Sequence, residues 1–323
     1  MTGKVLITGG FGFVGSRLAV RLAQAGHSVM LGSRKAIASP AWLPQAEVVQ
    51  IAWNDIAALE RSCKGVDVVI QAAGMNAQDC AADPIAALSF NGLATARLVA
   101  AASQSGVKRI VYLSTAHVYA SLLAGTITEE TCPLNLHPYA TSHLAGEHAV
   151  LSASQRGHIQ GIVLRLSNAF GAPMHKDANC WMLLVNDLCR QAVQASKVIL
   201  YSSGQQQRDF IGMTEVCRVA EQLAFDGSDV CQTGIFNIGS GMAQSVFAMA
   251  QTIQKRCVQI LGFEPELQCE QGRTEGLIEQ LSYRSERLGT TGIKLDNANN
   301  LDEIDHLLRY CDTIFVKKQQ SVS

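Results

Sequence analysis

The sequence predicts an α/β fold, a doubly wound parallel sheet joined to a smaller, interleaved C-terminal lobe. Two observations lead to this prediction. Short apolar runs alternate with segments of helical period along the first half of the chain, and glycines follow the first apolar run at spacings of three. Since strands that alternate with helices form parallel sheets with right-handed crossovers, we expect helices on both faces of one sheet.

The N-terminal segment carries the most specific motif. An apolar run from Val5 to Ile7 is followed by a glycine-rich turn, a helix-period pattern and a second apolar run, Ser28 to Leu31. Such glycines permit a tight turn, let the backbone approach a pyrophosphate and let the helix pack closely on the strand. Free N–H groups at the helix N-terminus would hold the diphosphate. We therefore expect a Rossmann domain that binds a dinucleotide through Gly9, Gly12, Phe13, Val14 and Gly15.

The end of the second strand bears on the choice of cofactor. An Asp or Glu there would accept hydrogen bonds from the adenine ribose, but the chain has Gly32, Ser33 and Arg34 instead. The missing carboxylate removes its repulsion of a 2′-phosphate, and Arg34 offers that phosphate a forked cationic donor. These residues favour NADP(H) over NAD(H). The alternative, in which Arg34 is a solvated loop residue, leaves NAD(H) possible.

Composition narrows the functional class. The 323 residues are 48% hydrophobic and 16% charged with a net charge of −1, which is typical of a globular protein that does not bind nucleic acid. No uninterrupted apolar run approaches the roughly 18 residues of a membrane span, and the first strand begins too early to follow a signal peptide. We expect a cytoplasmic protein without a membrane partner.

The spacing of cysteine and histidine argues against a metal site. The ten cysteines include no C-x-x-C pair, and we expect reduced thiols packed as small apolar side chains. His143 and His148 are five residues apart, so a helix would turn them away from each other. The sequence therefore predicts no bound metal.

The remaining pattern sets the domain boundaries. Further strands are expected at 48–51, 66–71, 107–113 and 161–168, and helices at 57–63, 84–103 and 139–156. Past Pro173 the rhythm changes, with helices at 179–195 and 215–225, a strand at 198–201 and two helices within 241–312. The strand 234–238 is expected to rejoin the main sheet. We assign 1–172, rejoined by about 214–240, to the Rossmann domain and 173–213 with 241–315 to the lobe, leaving 316–323 as a frayed tail.

The carboxyl ends of the strands form the expected ligand crevice, as in other open parallel sheets. The small residues 72–74 end one strand and would let a flat ligand lie against the backbone. Thr115 and His117 follow the next strand, and in an extended segment their side chains would point the same way. Tyr139 and His143, four residues apart on a helix, would share one face.

These motifs together resemble the extended short-chain dehydrogenase/reductase family, which contains nucleotide-sugar epimerases, 4,6-dehydratases and keto-sugar reductases. The resemblance spans roughly residues 3 to 290. Its motifs T-G-G-x-G-x-x-G, S-S/T-x-x-V-Y, R-x-x-N and R-D-F-I begin here at Thr8, Ser114, Arg165 and Arg208. Asn91 matches the family's helix asparagine. The further cofactor contacts that the resemblance implies are Asp55, Ile56, Ala72, Ala73, Gly74, Ser114, Tyr139, His143 and Leu166.

The resemblance also implies the catalytic and substrate residues. Tyr139 matches the family's catalytic tyrosine, and Thr115 matches the hydroxyl that is aimed at the substrate. Asn168 and Arg208 match the residues that hold a sugar diphosphate, and Arg273 is a weaker second arginine for the same role.

His143 departs from the family pattern Y-x-x-x-K, in which a lysine holds the nicotinamide ribose and lowers the pKa of the tyrosine. Imidazole is shorter than a lysine side chain and is mostly neutral at pH 7. It therefore supplies only part of the positive electrostatic field that lysine would provide at the tyrosine. Three explanations are open. In the first, His143 lowers the pKa of Tyr139 less than a lysine would, and its effect grows when it is protonated. In the second, His117 shares the proton transfer. In the third, catalysis is lost while the fold and the cofactor site remain.

The expected activity follows from these matches and from one mismatch. Ala116 and His117 stand where nucleotide-sugar 4,6-dehydratases carry an acidic pair, which disfavours dehydration, and His117 either binds substrate or caps the strand end. The resemblance favours NADP(H)-dependent reduction of a nucleotide-linked keto-sugar. The alternatives are an NAD-dependent epimerase, another small carbonyl or hydroxyl substrate, and a non-catalytic NADP(H)-binding sensor or scaffold protein. A homodimer built through the helices 84–103 and 139–156 is also expected.

Overall fold

The computed structural model describes residues 2–225, 234–269 and 280–316. The strands are β1 (Lys4–Thr8), β2 (Ser28–Ser33), β3 (Glu47–Gln50), β4 (Val68–Gln71), β5 (Arg109–Thr115), β6 (Gly125–Ile127), β7 (Gln160–Leu166), β8 (Asn168–Phe170), β9 (Lys197–Leu200), β10 (Gln207–Gly212), β11 (Gly234–Ile238), β12 (Ala243–Ser245), β13 (Glu266–Cys269) and β14 (Leu281–Tyr283). Seven of them form one parallel sheet in the order β11-β7-β5-β4-β1-β2-β3. This is the doubly wound parallel sheet that the sequence predicts.

Helices cover both faces of this sheet. They are α1 (Phe13–Gln24), α2 (Ile56–Cys63), α3 (Ala77–Ala82), α4 (Pro84–Ala87), α5 (Thr95–Gln104), α6 (Pro138–Gln155), α7 (Leu184–Ala195), α8 (Met213–Phe225), α9 (Val246–Leu261), α10 (Glu286–Thr290) and α11 (Asn300–Cys311). One apolar core packs α1 and α8 on one face, and a second packs α2, α5 and α6 on the other. Because β4 and β5 are buried along their whole length, their sequences are rich in apolar residues without alternation.

The strand order reverses at β1. From β1 the chain proceeds to β2 and β3 on one side, and then crosses to β4, β5 and β7 on the other. In open α/β sheets, ligands bind outside the carboxyl ends of the strands at such a reversal. The topology therefore places the crevice next to the glycine turn that follows β1.

α4 and α5 form one helix with a π-helical segment, Leu88–Ala94, between them. The sequence predicts an uninterrupted α-helix over 84–103, because apolar spacing does not reveal the wider turn of a π-helix. The π-helical segment buries Asn91, and such turns are frequent at functional sites. By length and composition the helix Pro84–Gln104 could cross a membrane, but half of its apolar 18-residue window is buried inside the protein.

A three-stranded sheet has the order β12-β10-β8, and it pairs two strands of the predicted lobe with β8, which lies at the end of segment 1–172. A third core packs α7, α9 and α11 around Phe170 and Phe210. There are also two small sheets among the described residues, β13-β9 within the predicted lobe and β14-β6, in which β6 again comes from segment 1–172. After α8 the chain returns to the large sheet, where β11 pairs with β7.

Several boundaries differ from the sequence-based predictions. The strand expected over 161–168 is divided: β7 ends at Leu166, and β8 begins at Asn168 and pairs with β10 of the lobe. The helix expected from residue 179 begins at Leu184, after a turn closed by the Leu183 N–H and the Cys180 carbonyl. Within 241–312 the described residues form three helices instead of two, since α10 has only five residues, too few to show a helical period. The short helix α3 was also not predicted.

Arg17 of α1 joins the sheet domain to the lobe. Its guanidinium binds both carboxylate oxygens of Glu303 on α11, at 2.6 and 2.9 Å, and donates to the Ala172 carbonyl at 2.8 Å. The hydroxyl of Thr214 donates to the same carboxylate at 2.6 Å. The buried Glu303 therefore fixes α11 beside the helix that follows the glycine turn.

The nine cysteines of the described ranges carry free thiols, and these ranges hold no group of three or more potential metal ligands.

Val316, expected as the first residue of a frayed tail, instead ends the helical segment Asp312–Val316. Residues 317–323 of that tail, and the candidate Arg273, lie outside the described residues.

Candidate functional site

A cleft of about 1470 Å³ opens at the carboxyl ends of the parallel strands. The glycine turn, the loops after β2 to β5, the start of α6 and the lobe segment before α7 form its walls. The cleft brings together sixteen of the residues predicted from the sequence. They are Gly9, Gly12, Phe13, Val14, Gly15, Ser33, Arg34, Ala72, Ala73, Gly74, Ser114, Thr115, His117, Tyr139, Leu166 and Asn168.

The glycine turn forms a cradle that side chains would fill. Gly9 has a φ of +65°, and a Cβ there would lie 2.8 Å from the backbone of Ala73. A Cβ on Gly15 would lie 2.3 Å from the Gly9 carbonyl oxygen. Gly12 precedes α1 and makes no side-chain cap, so no capping side chain takes the free N–H groups of the first turn. A dinucleotide diphosphate fits this cradle because its oxygens accept such N–H groups at the positive end of a helix.

The end of β2 presents cations to the cleft instead of a carboxylate. Ser33, Arg34 and Lys35 line the cleft, and both cations are exposed. The Ser33 hydroxyl accepts a hydrogen bond from the Lys35 N–H at 3.1 Å. A Cβ on Gly32 would lie 3.1 Å from the Thr8 Cα, so this position is tightly packed. A 2′-phosphate at this end of the cleft would meet positive charge.

Asp55 and Ile56, expected as cofactor contacts, do not line the cleft. The Asp55 carboxylate instead caps α2, where it accepts a hydrogen bond from the Ala58 N–H at 3.0 Å. Trp53 and Asn54 form this part of the wall. One oxygen of this exposed carboxylate is used by the cap, and the role of Asp55 and Ile56 as cofactor contacts stays a prediction.

Asn91 ties the cleft floor to α6. Its Oδ1 accepts a hydrogen bond from the Met75 N–H at 2.9 Å, and its Nδ2 donates to the Ser142 hydroxyl at 3.0 Å. The side chain is fully buried in the π-helical segment. The backbone that follows Gly74 is therefore held at a fixed distance from the helix that carries Tyr139.

Thr115 and Tyr139 meet in the cleft. Thr115 ends β5, and Tyr139 lies in the first turn of α6, where the His137 side chain accepts a hydrogen bond from the Tyr139 N–H. Burial raises the pKa of the Tyr139 phenol above its ordinary value of 10.0, and a hydrogen bond with Thr115 offsets part of this effect. The pair is therefore a hydroxyl beside a phenol that keeps its proton at neutral pH.

His143 lies one helical turn after Tyr139, and the ring centroids are 4.6 Å apart. Its Nδ1 lies 2.9 Å from the Tyr112 hydroxyl. Burial lowers the pKa of His143 to about 4, so the imidazole is neutral at pH 7. Of the three explanations for this residue, tuning of Tyr139 by a protonated His143 would therefore need a pH close to 4.

Positive charge beside Tyr139 is missing from the part of the chain that the structure describes. Besides burial, the groups that act on the pKa of Tyr139 are the Thr115 hydroxyl and the Cys80 thiol, and neither is a cation. A lysine at residue 143 would favour the phenolate, whereas a neutral imidazole does not. The site therefore stabilises the protonated phenol.

A buried ion pair lies beneath the cleft. Arg165 of β7 and Glu147 of α6 are 3% and 0% exposed, and the guanidinium binds the carboxylate at 2.6 and 3.0 Å. The Ser114 hydroxyl donates to the same carboxylate at 2.5 Å. The pair therefore holds α6 against the strand end that carries Thr115, and the charge of Arg165 is balanced by Glu147.

His117 lines the cleft at its lobe end. Residues 116–118 form a 3₁₀ turn, so the extended conformation expected after Thr115 is wrong here. The hydroxyl of Thr115 accepts a hydrogen bond from the His117 N–H at 3.1 Å, which caps this turn. Burial lowers the pKa of His117, and the charge of Arg208 lowers it further. His117 is therefore a neutral imidazole near a cation.

Asn168 and Arg208 lie on the paired strands β8 and β10, around the buried Asp209. Asn168 lines the cleft, and its Nδ2 donates to the Asp209 carbonyl at 2.9 Å. The Asp209 carboxylate accepts hydrogen bonds from the Ser167 hydroxyl at 2.6 Å and the Ser240 N–H at 2.8 Å. Arg208 does not line the cleft, but its charge acts on His117. The strand end at Asn168 is thus rigidly placed.

An aromatic wall beside the glycine turn was not predicted. Trp42 stacks on His175 with a centroid distance of 5.6 Å, and His175 Nε2 hydrogen-bonds to the Phe11 carbonyl at 2.9 Å. Phe11 packs edge-on against Trp42 at 6.0 Å, and all three residues line the cleft. No pattern in the sequence links Trp42 to His175, because the two residues are far apart in the chain and meet only in the folded protein.

Comparisons with known proteins show the family of this chain. The model of the NAD dependent epimerase/dehydratase family matches residues 5–239. A similar curated protein is dTDP-6-deoxy-L-talose 4-dehydrogenase (NAD(P)(+)) of Kitasatospora kifunensis, which is 31% identical over 255 residues and 75% of each chain.

Solved structures share the fold of the whole chain. MoeE5 in complex with UDP-glucose and NAD is 24% identical with a TM-score of 0.77, and the match covers 99% of this chain and 100% of that one. UDP-glucose 4-epimerase of Thermus thermophilus in complex with NAD is 22% identical with a TM-score of 0.78, and the match covers 96% and 99%. The family match covers more than half of the chain, and the chain therefore belongs to the NAD-dependent epimerase/dehydratase family of extended short-chain dehydrogenases/reductases.

Proposed function

We propose that the protein is an NADP(H)-dependent oxidoreductase that reduces a keto group of a nucleotide-linked sugar. The observation that carries the proposal is the protonated phenol of Tyr139 beside Thr115, with no cation among the described groups that act on its pKa. A phenol that keeps its proton is suited to give it to the oxygen of a carbonyl undergoing reduction. Oxidation of a sugar hydroxyl needs a base instead, and Tyr139 is poorly suited to that role.

The residues at the end of β5 and the start of α6 would perform the chemistry. A reduced nicotinamide dinucleotide would supply the hydride when bound. Thr115 would hold the carbonyl oxygen through its hydroxyl, and Tyr139 would donate its proton to that oxygen. Ser114 and the buried pair beneath it would keep Thr115 in place, since a positioned donor contributes only in the correct geometry.

The lobe would bind the rest of the substrate. Asn168 and Arg208 would hold the sugar diphosphate, His117 would contact the sugar, and Arg273 would add a second charge. Binding energy from the nucleotide would then align the sugar ring at the reacting carbon. The relative with 31% identity is named as a 4-dehydrogenase of a dTDP-linked 6-deoxyhexose, which supports this substrate class.

Arg34 and Lys35 support the preference for NADP(H). Both line the cleft at the end of β2, where a carboxylate would favour NAD(H). The glycine turn, the floor at 72–74, Ser33 and Leu166 would form the rest of the dinucleotide site. NAD(H) is the alternative, since two solved relatives contain NAD.

Two other functions have specific support. Similarity to UDP-glucose 4-epimerase favours an epimerase, which would oxidise and reduce the same carbon without net use of cofactor. The neutral His143 favours a non-catalytic NADP(H)-binding sensor or scaffold, because it withholds the charge that a lysine would bring to Tyr139. The absence of an acidic side chain at Ala116 continues to disfavour dehydration.

The domain division and the assembly are part of the proposal. Residues 1–172 with 214–240 would form the cofactor domain, and 173–213 with 241–315 the substrate lobe. A groove of small residues between α5 and α6, with a volume of about 480 Å³, supports a homodimer packed through these helices. The molar mass in solution, measured by light scattering, tests this assembly. A cytoplasmic location would suit a dinucleotide-dependent sugar reductase.

The proposed activity is tested with NADPH and a dTDP-linked 4-keto-6-deoxyhexose. We expect one NADPH to be oxidised for each keto-sugar reduced, followed by absorbance at the nicotinamide band and by chromatography of the sugar nucleotide. Formation of an epimer without net oxidation of NADPH would indicate the epimerase. Tight NADPH binding without turnover of any keto-sugar would indicate the sensor.

The cofactor preference is tested with two arginine variants, one at a residue that lines the cleft and one at a residue outside it. Arg34→Ala is expected to lower kcat/KM for NADPH about tenfold or more while changing that for NADH little, because one charge-assisted contact to the 2′-phosphate is lost. Arg61→Ala removes an exposed arginine outside the cleft and should change neither value. Equal use of NADPH and NADH by both the wild type and Arg34→Ala would contradict the preference.

A further inference from the structure

The segment 172–185, which joins β8 to α7, is a loop whose base is closed by one buried side chain. The Gly171 N–H donates to Oδ1 of Asn186 at 3.1 Å, and Nδ2 of Asn186 donates to the Gly171 carbonyl at 2.8 Å. Asn186 is fully buried. These two hydrogen bonds pair the residue before the loop with a residue just after it. The base of the loop is therefore held in place independently of its tip.

His175, at the tip of this loop, crosses the cleft to the opposite wall. Its Nε2 lies 2.9 Å from the Phe11 carbonyl oxygen, and since a carbonyl can only accept, Nε2 carries a proton and donates it. The imidazole also lies parallel to the Trp42 indole, with ring centroids 5.6 Å apart and an interplanar angle of 3°. We call the contacts of His175 with Phe11 and Trp42 the bridge.

The Trp42 side of the bridge is anchored in the core. The Leu43 N–H donates to the Pro40 carbonyl at 2.9 Å, and the Ala46 N–H donates to the Leu43 carbonyl at 3.2 Å. Leu43 and Ala46 are buried in the apolar core that contains α1. The loop between β2 and β3 thus presents Trp42 from a fixed backbone. If the bridge opens, the part that moves is the tip that carries His175.

The two ends of the loop differ in the strength of their contacts. Near its base, Arg17 donates to the Ala172 carbonyl at 2.8 Å and binds the buried Glu303 through two charge-assisted hydrogen bonds. Such bonds are about twice as strong as neutral ones. The tip is held by one neutral hydrogen bond and one aromatic contact, each equivalent to about a three- to tenfold change in an equilibrium constant. The bridge is therefore the contact that opens first.

The position of the bridge relates it to the ligand that the cleft would hold. Phe11 belongs to the glycine turn, whose free N–H groups form the cradle for a diphosphate. The crossing therefore lies between the cationic end of the cleft at Arg34 and the phenol of Tyr139 at the other end. A dinucleotide that extends from one end to the other must pass this crossing.

We propose that His175 and Trp42 close the cleft over the diphosphate of a bound dinucleotide, and that separation of His175 from Phe11 and Trp42 limits its release. The identity of this ligand as a nicotinamide dinucleotide rests on the proposed function. Loops that open and close over a site often set the rate of release. His175 lies at the cradle, away from the reacting atoms, so the hydride transfer step should not depend on it.

Release of NADPH is measured by stopped-flow, in which the NADPH complex is mixed with excess NADP+ and the nicotinamide fluorescence is followed. His175→Ala removes both contacts, and we expect the dissociation rate constant to rise about 10- to 100-fold. His175→Phe keeps a ring against Trp42 but loses the donor, so a rise of about three- to tenfold is expected. His306→Ala is the matched control, because His306 is exposed on α11 and outside the cleft, and it should release NADPH at the wild-type rate.

A double-mutant cycle shows whether the two rings act together. Trp42→Leu alone should raise the dissociation rate constant about three- to tenfold. In the His175→Ala background it should add almost nothing, because the partner ring is already gone. Hydride transfer from bound NADPH to the keto-sugar in a single turnover should keep its wild-type rate in His175→Ala. General damage to the site would slow that step as well.

The outcomes separate this inference from the proposed function. If His175→Ala and Trp42→Leu are folded by circular dichroism and release NADPH at the wild-type rate, the bridge does not retain the dinucleotide, although the dinucleotide site stands. Additive effects of the two changes would also overturn the bridge. If the wild type binds neither NADPH nor NADH, the proposed function fails, and the ligand assigned to the bridge fails with it. Should His175→Ala not fold, His175→Phe and Trp42→Leu decide the question.

Discussion

Tyr139→Phe is expected to lower kcat for keto-sugar reduction by about 10²- to 10⁴-fold, the usual contribution of a positioned proton donor. Phenylalanine keeps the ring that packs on His143 at 4.6 Å, so the fold and the affinity for NADPH should be retained. The measurement is steady-state kinetics of NADPH oxidation, with circular dichroism and NADPH titration to show that the variant is folded and loaded.

His117→Asn is the informative comparison for this prediction. His117 is a titratable side chain that also lines the cleft, and asparagine keeps a hydrogen-bonding group there. We expect its loss of kcat to be much smaller than that of Tyr139→Phe. If Tyr139→Phe kept more than a tenth of the wild-type rate and His117→Asn did not, His117 would be the proton donor and the role given to Tyr139 would be wrong.

Glu147→Gln is expected to cause the largest loss of stability, about 3–5 kcal/mol in the free energy of unfolding. Glutamine has nearly the same shape but leaves the Arg165 guanidinium, 3% exposed, without a compensating charge. Such a loss is a large part of the roughly 5–15 kcal/mol that stabilises a typical protein. Urea denaturation followed by circular dichroism gives the value.

Glu47→Gln is the control for the buried pair. Glu47 binds Lys4 at 3.0 Å on the surface, and its side chain is 58% exposed. Exposed pairs contribute about 0–1 kcal/mol, so this variant should be close to the wild type in stability. Equal, small effects of Glu147→Gln and Glu47→Gln would show that solvent or a local rearrangement compensates Arg165, and that the pair does not hold α6 against β5.

The sequence predicts best what depends on neighbouring residues. The glycine turn could be predicted because its strand, turn and helix follow one another, and the packing around Gly9 and Gly15 confirms that larger residues would not fit. The shared face of Tyr139 and His143 follows from helical spacing in the same way, and the two rings do pack together.

Prediction is weakest where several local conformations are compatible with one motif. Asp55 has the residue type expected of an adenine contact, but it also precedes a helix, and one oxygen of its carboxylate caps that helix. The segment after Thr115 continues an apolar strand in sequence, yet the Thr115 hydroxyl caps a 3₁₀ turn there and changes the direction of His117.

Contacts between distant segments were beyond prediction from one sequence. Trp42 and His175 meet across the cleft, and Tyr112 meets His143 between β5 and α6. Each of these residues looks like an ordinary core or loop residue in its own segment. The role of each residue depends on the residue that it contacts in the folded protein, and the sequence pattern does not identify that contact.

The pH dependence of keto-sugar reduction tests the protonated phenol most directly. The pKa of Tyr139 is raised above its ordinary value of 10.0, so the donor is present below that pKa and is lost as the pH rises through it. We predict that kcat with saturating NADPH stays constant from about pH 6 to about pH 9 and falls only at higher pH. A reduction rate that falls with an apparent pKa near 7 would show that Tyr139 loses its proton near neutrality, and would contradict a site that works as a proton donor without a neighbouring cation.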